Sequence, residues 1–148
     1  MKKFILAATA LLAIGSGSAN ATPSLCNAVA GNLLQNCGFE SGSFSGWNTS
    51  PAPNGSDFGV AGTGYTGSFD AYFGASAGMP DAIGQTVLTT PGHLYDLQFY
   101  LKSDGNTPNG AFVGYFDTSF HVLGSGTDIP QFDWTLEDFT FTATTPST

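Results

Sequence analysis

The chain predicts an all-β protein, an antiparallel β-sandwich or jelly roll, on three observations. Apolar and polar residues alternate with period two in several short stretches, as in half-buried strands. Turn-forming Gly, Pro, Asn and Asp recur between those stretches at roughly eight- to twelve-residue spacing. Charged residues are too scarce to clothe long helices: 148 residues hold 20 Gly and 13 Phe but only 3 Lys+Arg. Glycine supplies the positive-φ turn positions and Phe suits a pleated surface, whereas helices need Glu, Lys, Arg and Gln.

Residues 1–21 read as an export signal. Lys2 and Lys3 precede an apolar run over residues 4–14, and Ala19-Asn20-Ala21 has the small-x-small pattern that a signal peptidase cuts. The run is too short to span a bilayer. The folded unit is then one domain, residues 22–148, outside the cytoplasm. Residues 22–31 form an Ala-rich lead-in, and Leu33-Leu34 opens the first strand. Residues 36–46 are turn chemistry around Phe39 and Phe44, and residues 51–56 are a loop.

Residues 68–75 alternate as a half-buried strand, with Phe69, Ala71 and Phe73 on one face. Residues 83–89 form another. The clearest strand is 94–102, where Tyr95, Leu97, Phe99 and Leu101 face one way and Asp96, Gln98, Tyr100 and Lys102 the other. Residues 111–116 and 121–123 pair as a hairpin, and 134–142 alternate with Phe139 and Phe141 inward. Phe39, Phe44, Trp47 and Phe69 are expected in the core. No repeat occurs.

Charge narrows the partners. Beyond the signal one lysine, Lys102, remains against 11 acidic residues, a net of −10, and arginine is absent. Such a surface cannot neutralise phosphates, which argues against nucleic acid and anionic membrane surfaces as partners. Cys26 and Cys37 are the only cysteines. In an oxidising compartment they read as a disulfide contributing roughly 2–3 kcal/mol.

Enzymatic activity is not expected. Glu137 and Asp138 are adjacent, so a strand points them to opposite faces and they cannot flank one glycosidic bond. His93 and His121 have neither zinc spacing nor a nucleophile elbow. Tyr100, Tyr115 and Trp134 fall opposite the apolar rows. With Asp96 and Gln98 they have the chemistry of a sugar-binding surface, where flat rings meet a pyranose C–H face and amides and carboxylates meet its hydroxyls. The competing reading is cross-strand aromatic pairing on a solvated face.

Five segments in order carry a resemblance: NLLQNCGFESGSFSGW (32–47), SFDAYFGA (68–75), DAIGQTVLTTPGHLYDLQFYLKSDG (81–105), PNGAFVGYF (108–116) and FDWTLEDFTFTAT (132–144). The first resembles the Asn-x-x-Phe-Glu…Gly-Trp opening of galactose-binding-like jelly rolls, including carbohydrate-binding modules. The set looks like the secreted PEP-CTERM proteins of Gram-negative bacteria that make exopolysaccharide.

The resemblance implies a non-catalytic, carbohydrate-associated module in or near the exopolysaccharide layer or cell surface, with an extracellular polysaccharide as partner. The alternative is a structural or adhesive matrix protein without specific sugar recognition. It also implies that Glu40 helps hold a structural calcium with an Asp on a closing strand; otherwise Glu40 caps the adjoining turn or accepts from backbone N–H groups. In the family pattern that closing strand and a Pro-Glu-Pro sorting signal follow, so the chain reads as truncated at Thr148 or as a short form. Cys37 stands where the family has a small residue, which fits an added disulfide to Cys26.

Overall fold

Nine strands and one short 3-10 turn make up the regular structure of the described residues, which in this computed structural model are 4–7, 24–75 and 78–148. The strands are β1 (Phe4–Ala7), β2 (Asn48–Ser50), β3 (Gly59–Ala61), β4 (Asp70–Phe73), β5 (Ala82–Gly84), β6 (Leu94–Ser103), β7 (Gly110–Phe116), β8 (Phe120–Thr127) and β9 (Phe132–Thr142). Five of them form one sheet in the order β3-β4-β1-β6-β9; β2 pairs with β5, and β7 with β8. Every pairing is antiparallel. Among the described residues the structure is nearly all-β, with antiparallel pairs consistent with a β-sandwich.

The long strands follow their alternation. Leu97 lies opposite Phe139 and Tyr95 opposite Phe141, so the apolar rows of β6 and β9 share one face. Gln98 opposite Asp138 and Tyr100 opposite Leu136 share the other. Glu137 and Asp138 accordingly lie on opposite faces. The β7–β8 hairpin covers the inner face: Tyr115 stacks on Phe141 with centroids 4.3 Å apart. At Gly124 a methyl group would lie 2.7 Å from the Phe139 ring, so this close approach requires glycine. Between the layers runs an open trough of about 2020 Å³, lined by Leu97, Phe99, Phe139, Val113 and Ile83 among others.

Three segments depart from expectation. Leu33-Leu34 does not open a strand. The Gln85 side-chain amide takes the place of a neighbouring strand, accepting from Gln35 N at 2.9 Å and donating to Gln35 O at 2.6 Å. The strand expected over 83–89 ends at Gly84, because Val87 and Thr89 instead bond the C-terminal segment at Thr148 and Pro146. Third, four residues of the stretch read as an export signal, Phe4–Ala7, form a central strand. Phe4 and Ile5 have strong strand preference, and both edges of the segment are paired. The cleavage pattern at residues 19–21 lies outside the described residues.

The 32–47 stretch is an interlocked turn. Asn36 adopts φ 45°, which Asn tolerates better than most residues. Its amide nitrogen lies 2.9 Å from Ser41 Oγ, Ser43 O and Ser45 O, while its own carbonyl accepts the Trp47 indole N–H at 3.1 Å. Cys37 is bonded to Cys26, pinning the 3-10 turn at Leu25–Ala28. Phe39 is fully buried against Phe44 and Trp47, as expected of the core.

Candidate functional site

Strand parity carries Tyr100 and Trp134 to the outer face of the main sheet, and a loop brings a third ring to them. Tyr65, 44% exposed, lies with its centroid 4.7 Å from Tyr100 and 5.7 Å from Trp134. At the rim Lys102 Nζ is 3.0 Å from Asp133 Oδ1 and 6.0 Å from the centre of the Trp134 ring. The Lys102 ammonium and the Trp134 N–H hold the Asp133 carboxyl below its usual range. Further along the same face Gln98 donates to Asp138 at 3.1 Å, and Asp96 stands opposite Thr140.

Two carboxylates position the Tyr65 loop. Asp70, fully buried, accepts from Thr63 N at 2.9 Å and Thr63 Oγ1 at 2.5 Å. Glu40 accepts from Ser68 N at 3.0 Å through either oxygen and from Phe69 N at 3.3 Å. Gly67 between them has φ 74°, and a methyl group there would lie 2.1 Å from Glu40 Oε1. Glu40 is thus a loop staple. Calcium needs six to eight oxygen ligands, whereas hydrogen-bond donors face both Glu40 oxygens. Among the described residues no group of three His, Cys, Asp or Glu side chains is arranged to hold a metal. Among the described residues the contacts of Glu40 are therefore those of an acceptor of backbone N–H groups.

The structure therefore splits the sugar-binding surface expected from sequence. Tyr100, Trp134, Gln98 and Asp96 share one face. Tyr115 belongs to the other side, stacked between Phe141 and His121. Its strand was correctly placed, but alternation within one strand does not say which layer that strand joins. Tyr65 was missed because a Tyr inside Gly62-Thr63-Gly64-Tyr65-Thr66-Gly67 carries no periodicity; only the loop's carboxylate anchors reveal its direction.

A Ser-His-Asp grouping does occur at the β7–β8 turn. His121 Nε2 lies 2.9 Å from Asp117 Oδ1 and 3.1 Å from Ser119 Oγ. Both partners meet the same ring nitrogen, whereas a proton relay needs the carboxylate and the hydroxyl on opposite nitrogens. The grouping closes the turn instead. Hydrogen bonds from Thr144, Ser119, His121 and Thr118 hold the Asp117 carboxyl far below its usual range. A depressed folded value means that this stabilisation is complete above the ordinary Asp range and is lost as pH falls through the folded value. Melting midpoints measured against pH should therefore fall on acidification, and Asp117→Asn should flatten that dependence while lowering the midpoint at neutral pH.

No protein-family model matches the chain, and neither does any curated protein or solved structure.

Proposed function

We propose that this is a secreted, non-catalytic, carbohydrate-associated module of the galactose-binding-like jelly-roll type that binds an extracellular polysaccharide weakly through several contacts. The observation that carries the reading is the convergence of Tyr65, Tyr100 and Trp134 on one sheet face, beside the Gln98 amide and the carboxylates of Asp138 and Asp96. Aromatic faces give a pyranose ring an apolar platform, and the polar row meets its hydroxyls. With 11 acidic residues in the chain, neutral or cationic glycans fit and polyanionic ones do not. The Cys26–Cys37 disulfide is compatible with an extracytoplasmic protein, and among the described residues no helix is long and apolar enough to cross a membrane.

A glycan array tests this. Binding to at least one neutral or cationic glycan is expected, weakened about tenfold by Tyr100→Ala or Trp134→Ala, the loss of about 1.4 kcal/mol. A folded protein that binds no glycan, or binding indifferent to both substitutions, refutes it.

One observation favours a structural or adhesive matrix protein. The outward face of the hairpin presents Phe112, Phe116, Phe120 and Val122, each about half exposed, with the Phe112 and Phe120 rings in edge-to-face contact, and exposed apolar rows of this kind favour association. On that reading light scattering shows concentration-dependent association that Phe116→Ser abolishes; a strictly monomeric protein counts against it.

A further inference from the structure

β1 is a strand that the remainder of the fold does not supply. It lies between β4 and β6: Leu6 is opposite Ala71 on one side and Leu101 on the other, and Ile5 is opposite Tyr72 and Lys102. Since β1 is antiparallel to both neighbours, β4 and β6 run parallel to each other. Their outer edges are already paired, β4 with β3 and β6 with β9. With β1 seated, Ala71 and Ser103 are almost wholly buried; without it, two interior edges face each other across the width of one strand. Backbone groups left unpaired there are costly. Direct closure would require the two strands to approach by about 4.8 Å and to pair in parallel, in a protein whose other pairings are all antiparallel.

The occupant belongs to the apolar run of residues 4–14 that precedes the Ala19-Asn20-Ala21 cleavage pattern. We infer that the interval between β4 and β6 is a strand-acceptor site: when the leader is removed, it takes an extended apolar peptide strand from another polypeptide, antiparallel to both neighbours. This rests on the export reading of residues 1–21. The chemistry of the partner follows from the slot. Backbone N–H and C=O groups of 71–73 and 100–103 pair with it from two sides, so it must be extended and free of proline. The segment now seated, Phe-Ile-Leu-Ala, is apolar throughout.

The test uses the full chain with a protease site placed within residues 16–21, cut after folding. The probe is a synthetic peptide of residues 2–10, and its control is the same peptide carrying Ile5→Pro. The expected result is one-to-one retention of the cut leader, or one-to-one binding of the added peptide, with amide exchange at 71–73 and 100–103 slowed about tenfold or more. If the cut protein loses its β-sheet circular dichroism, the peptide restores it and the proline control does not. Rapid exchange with leader or peptide bound, equal binding of the control, protection of those amides after the leader has dissociated and before peptide is added, or a dimer that excludes the peptide each overturns the proposal. The mass of the exported protein is read separately. A leader still attached overturns the opening of the slot through the export reading, a failure that peptide binding would not register.

Discussion

Phe39→Ala is expected to lower the free energy of unfolding by about 3–5 kcal/mol, the range for removing a buried aromatic side chain. Phe39 is completely buried, and its ring centroid lies 5.9 Å from Phe44 and 5.4 Å from Trp47. Buried apolar side chains are few here: Leu25, the two cysteines and three alanines are the others among the described residues. No second large aromatic can compensate. The backbone adds a signature. Phe39 sits at φ 58°, in the left-handed region, which costs a side-chain-bearing residue about 1–2 kcal/mol relative to glycine. Phe39→Gly should therefore be no less stable than Phe39→Ala, the reverse of the order on a strand or helix. Urea denaturation of the two variants checks both statements, and an alanine variant clearly more stable than the glycine one would exclude the left-handed geometry.

Asp81→Ala should cost about 3 kcal/mol, because the carboxylate ties the 51–56 loop and Gly74 to its own segment and its loss strands three donors. Asp81 Oδ1 accepts from Ala52 N at 2.8 Å and Ser56 Oγ at 2.5 Å, and Oδ2 accepts from Gly74 N at 3.0 Å. Ala52 and Gly74 are buried, so water cannot freely replace the carboxylate. Asp81→Asn keeps one oxygen but turns an amide N–H toward a donor, and a smaller loss is expected. The midpoints of thermal unfolding rank the three proteins; an alanine variant as stable as the parent would show that the 51–56 loop does not depend on this anchor.

Much of the architecture was legible because it rests on alternation. β6 and β9 could be read with their faces assigned, since long runs of period-two pattern leave one register that puts Tyr95, Leu97, Phe99, Phe139 and Phe141, all half-buried, on one face. Short elements were not legible. Residues 33–34 look like a strand by composition, but a strand needs a partner, and the neighbour there is the Gln85 side chain. The candidate site was half legible for the same reason. Tyr100 and Trp134 follow from strand parity, whereas Tyr65 depends on where Glu40 and Asp70 draw a glycine-rich loop, and Tyr115 on which layer its hairpin joins. Glu40 stands out in the sequence through its motif, and in the structure it accepts the N–H groups of Ser68 and Phe69. A motif shared with calcium-binding modules does not distinguish that role.

The anchors Glu40, Asp70 and Asp81 have a consequence for the waters this protein can inhabit. Their hydrogen-bond donors in these contacts are backbone amides and hydroxyls, which carry no net charge. Added electrolyte has little attraction to screen there, while it weakens the mutual repulsion among 11 acidic side chains. A fold fastened in this way should hold as firmly in brine as in fresh water. A protein fastened by surface ion pairs would loosen as salinity rose.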